Sequence, residues 1–301
     1  MGLDVVGLGM SFVDYNTRIP RIPRFEEGVS VLEFDKQGGG AISTGLVTLA
    51  KLGAKVGYIG KIGDDEHGKF ILDEYRKYGV DISHVVVERG KTSPFVFVLV
   101  DAKTGKRAFI VHRGSATQPL KPNEIDRDYI RNSSMVFMEG FRAYEALIEV
   151  AKTAREAGIA VLIDGSSPEI VKVSNIVIAG ERDAYASTGT RKPGEAVEKL
   201  LSLGPEIAVI TLGKRGCLCK TREKTIRKPS FKVDVVDTTG AGDVFHGAFA
   251  YGLLQSWELE NVVEFASAVA AIKCTKLGGR AGIPTFPEAQ RFLRDHGSPF
   301  F

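Results

Sequence analysis

The chain has 301 residues, of which 44% are hydrophobic and 26% charged, with 12 prolines. That balance excludes a disordered, collagen-like or disulfide-stapled protein and allows a sizeable core. Forty basic against 37 acidic residues leave a formal charge of +3, too even for the phosphate attraction on which nucleic-acid binders depend, while small anionic ligands remain open.

No run reaches the ~18 apolar residues of a membrane helix, and Met1 to Val6 enters an apolar strand without a basic leader. Cys217, Cys219 and Cys274 are an odd count with no paired zinc spacing, which points to a reducing, cytoplasmic setting.

The apolar run 5–9, a helix over 41–52 stopped by Gly53, and a second strand over 55–60 read as a β-α-β beginning. The segment 13–34, with Pro20 and Pro23 inside it, is expected to add strands to a lid. Residues 95–100 and 107–111, joined by 101–106, carry a hairpin signature. Strand and helix signals then alternate: strand 134–138, helix 144–157, strand 160–163, strand 207–212, strand 231–236, helix 244–254 and helix 262–274. Such alternation predicts a mostly parallel sheet with helices on both faces. The expectation is one α/β domain over 1–301 with a small β lid built from about 13–35 and 90–113. No internal repeat or low-complexity segment is present.

Asp237-Thr238-Thr239-Gly240-Ala241-Gly242-Asp243 lies between the last expected strand and a helix. Small residues at a helix start offer backbone N–H groups and the positive end of the helix dipole to an anion. A carboxylate beside a bound phosphate is repelled unless it has work there, and taking a proton from an attacking hydroxyl is such work. A tight turn with Asp243 as a cap is the other reading of an isolated Gly-Ala-Gly-Asp.

The stretch Asp237 to Phe249 resembles the C-terminal signature of the ribokinase-like, or PfkB, carbohydrate kinases. Gly38-Gly39-Gly40 running into a helix that closes at Leu52-Gly53, followed by Gly60 to Gly68, resembles their N-terminal signature. The likeness covers nearly the whole chain. Residues 231–284 and Asp164-Gly165-Ser166 look most like the branch that contains ketohexokinase and sulfofructose kinase. The resemblance implies a three-layer α/β sandwich with a β lid, an ATP- and Mg²⁺-dependent transfer to a primary hydroxyl of a ketose-like sugar or sugar acid, and a homodimer clasped through the lid.

By the same resemblance Asp243 is the general base, and the amides of Gly240, Ala241 and Gly242 form the anion hole. Asp14, Gly39, Gly40, Thr44, Phe97 and Arg142 fall at the sugar. Thr211, Gly213 and Gly216, with Thr239, Gly240, Gly242 and Ala271, fall along ATP. Asp237 and Thr239, with carbonyls near Gly278 and Gly282, match a site for a monovalent cation, K⁺. Read without the family, Asp14 is a loop carboxylate, Thr211 to Gly216 a turn, the helix around Ala271 a packing face and Arg142 a surface arginine.

Two departures stand out. Thr44 replaces the usual Asn, and the Asn-x-x-Glu that helps organise Mg²⁺ falls on Gly180-Glu181-Arg182-Asp183, which leaves Glu181 and Asp183 to act through water. The regions of Phe25 to Gly28 and Ile110 to Arg113 do not reproduce the lysine and asparagine of sulfonate recognition, which favours a related ketose or sugar acid over sulfofructose.

Gly7-Leu8-Gly9 with Phe12 fails the dinucleotide fingerprint, and neither a P-loop nor the HRD and DFG motifs occur. His67, His84, His112, His246 and His296 show no metal-ligand spacing, and His246 reads as a packing residue. The remaining alternatives are a nucleoside kinase, with Phe95, Phe97 and Phe109 as stacking partners, and a catalytically silent sugar or nucleotide sensor.

Overall fold

The computed structural model describes residues 2–116, 119–140 and 144–301. The chain starts with β1 (Leu3–Leu8) and passes into β2 (Phe12–Ile19) and β3 (Glu33–Gly39) of the lid. Helix α1 (Ala41–Leu52) leads to β4 (Val56–Gly63), and α2 (Glu66–Lys77) to the short β5 (Val85–Glu88). The lid is completed by β6 (Phe95–Asp101) and β7 (Arg107–His112). Then come α3 (Arg127–Arg131), β8 (Ser133–Glu139), α4 (Glu145–Glu156), β9 (Ala160–Asp164), α5 (Pro168–Val171) and β10 (Ile176–Gly180). Helices α6 (Glu181–Thr188) and α7 (Pro193–Ser202) precede β11 (Ile207–Thr211), β12 (Cys217–Lys220) and β13 (Thr225–Lys228). Three helices follow: α8 (Ala241–Leu254), α9 (Leu259–Lys273) and α10 (Phe286–Asp295).

The large sheet has the order β13-β12-β11-β10-β9-β8-β1-β4-β5. It is parallel from β11 to β5 and antiparallel at β12 and β13. Its strands are continuous apolar runs because both faces are covered. On β8, Met135 and Phe137 enter the core under α1, α8 and α9, whereas Val136 and Met138 enter the core under α4 and α7. This is the expected ribokinase-like three-layer arrangement. Among the described residues no helix is long and apolar enough to cross a membrane.

Helix α1 ends where expected, with Gly53 in the left-handed region at φ 109°. Helix α8 is apolar nearly all round and buried from Val244 to Gly252, so it sits between other helices and not at the surface. A Cβ on Gly247 would lie 2.4 Å from Gly45 O, so these two glycines let α1 and α8 cross in close contact. That crossing sets the N-termini of the two helices side by side.

The lid has the order β3-β2-β6-β7, with β2 and β6 parallel and the outer pairs antiparallel. The expected hairpin is β6–β7, and the segment 13–34 does supply strands. Alternation gives the lid two faces. Val96, Val98 and Val100 pack inward with Leu277, while Tyr15 stacks with Phe97 and Phe34 on the other face.

The expected strand over 231–236 does not form. The hairpin strand β13 occupies the sheet edge, and the amides of Val236 and Asp237 bond instead to Cys274 O at 2.9 and 3.2 Å. The end of this segment is thereby tied to the end of α9.

Candidate active site

The C-terminal edge of the parallel sheet meets the N-termini of α1 and α8 beneath the lid. Gly240 begins α8 at φ 72°, and a Cβ there would come within 3.0 Å of Gly279 Cα, so both conformation and space call for glycine. The first helical bond of α8 is Val244 N to Gly240 O, and the Ala241 amide donates to Thr238 O at 3.2 Å. Of the expected anion hole, Gly240 and Gly242 line the cleft together with Asp243, whereas the amide of Ala241 is spent on Thr238.

This cleft has a volume of about 440 Å³ and is lined by Asp14, Arg107, Phe109, Arg113, Gly240 and Asp243, among others. A second cavity of about 370 Å³ shares Phe12 and Arg113 with it and adds Ser11, Lys61, Glu139 and Tyr144. Asp14 is brought to the site by β2, whose register sets it opposite Gln37 and Val96 on the inner face of the lid. A Cβ on Gly39 would lie 2.2 Å from both carboxylate oxygens of Asp14, and one on Gly38 would lie 2.0 Å from Arg280 Nη1. The glycine run therefore makes room for an acid on one side and a buried guanidinium on the other. Arg280 is held by Ser43 Oγ at 2.5 Å and Glu74 Oε2 at 3.5 Å.

Burial raises the Asp243 carboxyl to about 6, with the charge of Asp164 adding to it and His246, Arg107 and Lys273 opposing. Asp14 is raised to about 7, chiefly by burial, with Arg280 opposing and Asp243 and Asp237 adding. Glu139 is likewise pushed to about 7 by burial and then by Asp164. Burial alone would lower His246, but the charge of Asp164, the hydrogen bond to it and bonds to Gly242 O and Ile178 O drive it up to about 9. Its Nδ1 lies 2.6 Å from Gly242 O, and its Nε2 lies 3.1 Å from Ile178 O and 3.2 Å from Asp164 Oδ1. Both ring nitrogens face acceptors only, so both donate and the ring is an imidazolium at neutral pH.

The structure thus gathers Asp14, Gly40, Thr239, Gly240, Gly242 and Asp243 around one space, with Gly39 against the Asp14 carboxylate. Thr44 is buried in the first turn of α1, with Gly279 above its hydroxyl. Phe97 is corrected: its register partners Tyr15 and Ile110 share the outer face of the lid, and Phe109, paired with Val98, is the phenylalanine that lines the cleft. Arg142 lies outside the described residues. Thr211 ends β11, and Gly213 and Gly216 shape the following turn, closed by Leu212 N to Gly216 O at 2.7 Å. Ala271 is on the buried face of α9. These residues line neither cavity.

Glu181 and Asp183 open α6 at the end of β10. Glu181 is paired with Arg215, and Asp183 Oδ1 lies 3.3 Å from Arg182 Nε. Among the described residues no cluster of three His, Cys, Asp or Glu side chains can hold a metal. This donor set fits Mg²⁺ carried mainly by nucleotide phosphates and its own waters, which is how that ion is commonly bound.

The expected monovalent-cation site does not fit its residues. The Asp237 carboxylate accepts from Thr239 N, Thr239 Oγ1 and Gly278 N at 2.7–2.8 Å, and the Asp237 carbonyl accepts from Lys273 Nζ at 2.9 Å. The Asp237 oxygens meant for an ion are held by protein donors.

Sequence reasoning missed His246, Asp164, Glu139, Arg280 and Lys273. His246, Asp164, Glu139 and Lys273 are polar residues at the edge of, or inside, apolar runs, and Arg280 stands in a glycine-rich loop. Only tertiary contact shows that the pair 164 and 246 and the pair 237 and 273 meet.

A sequence model of the "pfkB family carbohydrate kinase" matches residues 3–286, and the chain belongs to that family. A protein of Shouchella clausii named 5-dehydro-2-deoxygluconokinase is 30% identical over 318 residues, covering 97% of this chain and 96% of that one. The ribokinase of Thermotoga maritima superposes with a TM-score of 0.84 at 29% identity over 97% of this chain and 99% of its own. The Arabidopsis thaliana ribokinase solved with ribose and ATP does so at 0.84 and 25% identity, over 98% and 99%. The chain is a carbohydrate kinase with the ribokinase-like fold.

Proposed function

We propose that this kinase transfers the γ-phosphate of ATP to the primary hydroxyl of a keto sugar acid, 5-dehydro-2-deoxygluconate or a close relative. The observation that carries the sugar-acid reading is Arg113, which lines both cavities and so stands between the phosphoryl-transfer corner and the outer end of the substrate space. A guanidinium there clamps a carboxylate through two parallel hydrogen bonds. The relatives named for this sugar acid support the same choice.

In this reading Asp14 accepts two sugar hydroxyls and aims the primary one at Asp243, which takes its proton as the oxygen attacks phosphorus. The amides of Gly242 and Asp243 and the dipole of α8 hold the charge that builds on the transferred group, and most of the rate comes from such placement. Glu181 and Asp183 would orient the waters of Mg²⁺, which would supply charge neutralisation at the nucleotide phosphates. The lid strands hinge as a unit over the sugar and exclude water. A second copy of the chain covers the exposed aromatic face around Phe34, Phe97 and Ile110. The buried free thiols of Cys217, Cys219 and Cys274 suit a cytoplasmic setting.

The test is ATP consumption by wild type and Asp243→Asn against fructose, sulfofructose, keto sugar acids, ribose and nucleosides. Turnover with a keto sugar acid that the variant loses supports the reading. A neutral sugar or nucleoside as best substrate rejects the carboxylate while leaving the base in place. ATP binding without turnover on any sugar favours a sensor.

A further inference from the structure

The loop that carries the phosphate site is anchored at Asp237. This residue is fully buried, and its carboxylate brings a negative charge into the protein just before Gly240. A buried charge is costly unless it is paired and hydrogen-bonded. The hydrogen bonds come from Thr239 and Gly278, as described, but those groups are neutral. The nearby cation is Lys273, in the last turn of α9 and likewise fully buried, with its Nζ 2.9 Å from Asp237 O. Burial pulls that ammonium toward neutrality, and the charge of Asp237 works against this.

Space and charge both argue against a further ion. A Cβ on Gly282 would lie 2.2 Å from Lys273 O, so the loop 278–282 rests directly on the end of α9. Any metal cation entering beside the Asp237 carbonyl would meet Lys273 and feel Arg107, whose charge already acts on Lys273.

We propose that the Lys273 ammonium is the built-in cation of this kinase, holding the loop from Asp237 to Gly240, and with it the anion hole, in place of a dissociable monovalent ion. Lys273 is fully buried and lines neither cavity, so it is a positioning residue. The consequence is a kinase whose activity is independent of potassium. The inference rests on Gly240 to Asp243 being the phosphoryl-transfer corner, and not on which sugar is used.

The experiment compares full-length wild type and Lys273→Ala with potassium chloride replaced by tetramethylammonium chloride at equal ionic strength. The wild-type rate and melting temperature are expected to be the same in both salts. Lys273→Ala is expected to lose kcat by ~10²-fold in tetramethylammonium, the scale of losing anion-hole organisation. It should regain much of that loss in potassium with little change in the KM for sugar, a rescue that a purely structural lysine would not show. Lys273→Arg, which keeps the charge, should remain insensitive to potassium.

Activation of wild type by potassium, a potassium-dependent rise in its melting temperature, or an unimpaired Lys273→Ala would overturn the proposal. Should Lys273→Ala fail to fold, the wild-type melting curves and Lys273→Arg still decide. The melting curves need no substrate, so failure to find the right sugar is kept apart from failure of this inference.

Discussion

His246 Nε2 lies 3.2 Å from Asp164 Oδ1, and the charges of this buried ion pair act on the carboxylate of Asp243. The pair acts on the base with opposite signs, Asp164 raising its pKa and His246 lowering it. Removing the cation alone leaves a lone carboxylate next to the base. The variant His246→Gln is therefore expected to move the acid limb of kcat/KM to higher pH by on the order of one unit. It should also lose about 3 kcal/mol or more of stability, because Asp164 remains buried without its partner. Combining it with Asp164→Asn should restore both quantities toward wild type, as coupled groups do in a double-mutant cycle. An unshifted acid limb in a folded His246→Gln would show that the pair is only structural.

The Asp243 carboxyl, raised to about 6, is proton-bearing below that pH and, in its proposed role as base, competent above it. Wild-type kcat/KM should therefore climb through pH 6 and level off only above about pH 7, where Asp14 is ionised as well, measured with saturating ATP. Asp243→Asn should lower kcat by ~10²–10⁴ while leaving ATP binding, read by calorimetry, little changed. A variant that keeps kcat would remove Asp243 from the role of base.

The layout of the fold was legible because its signals are local. Helix α1 and its stop at Gly53, the β6–β7 hairpin and the alternation from β8 to β9 follow from periodicity and turn chemistry within a few residues. Gly39, Gly40, Gly240 and Asp243 were legible through the family signatures they form. Phe97 was misplaced because choosing between two faces of a lid strand requires knowing which face meets the sheet, and period-2 alternation names the faces without assigning them. His246 read as packing since it stands in an apolar helix, and its charge depends on Asp164 from another strand. The segment 231–236 has strand composition, yet its final amides bond to Cys274 and the sheet edge goes to β13. In each case a distant partner overrode the local pattern.

Arg113, proposed to read the substrate carboxylate, should separate acidic from neutral substrates. Hydrogen bonds to a charged group contribute about 1.5–3 kcal/mol, so Arg113→Gln should raise the KM for a keto sugar acid by roughly 10–100-fold. The KM for a neutral ketose, if the enzyme accepts one, should barely move. The comparison is steady-state kinetics of wild type and Arg113→Gln on matched acid and neutral sugars. Equal losses on both substrates would mean that the arginine shapes the lid and does not read the carboxylate.

Asp14 carries a stability cost with a definite pH dependence. Its carboxyl is raised from 3.8 to about 7, so the folded protein holds this proton more tightly than the unfolded chain. The stability linked to that proton is complete below pH ~3.8 and is lost as pH rises through about 7. Above pH 7 the site keeps an ionised, buried Asp14 under the charge of Asp243, a cost that suits its proposed role of accepting sugar hydroxyls. Asp14→Asn should consequently melt higher than wild type at pH 8, and the advantage should shrink as the pH is lowered toward 4. The same variant should bind sugar more weakly, because an amide offers one acceptor oxygen where the carboxylate offers two. Arg280 is retained by Glu74 and Ser43, so losing the acid does not strand it. A lower melting temperature for Asp14→Asn at pH 8 would show instead that Asp14 stabilises the lid through Arg280, and that its elevated pKa is not a cost of function.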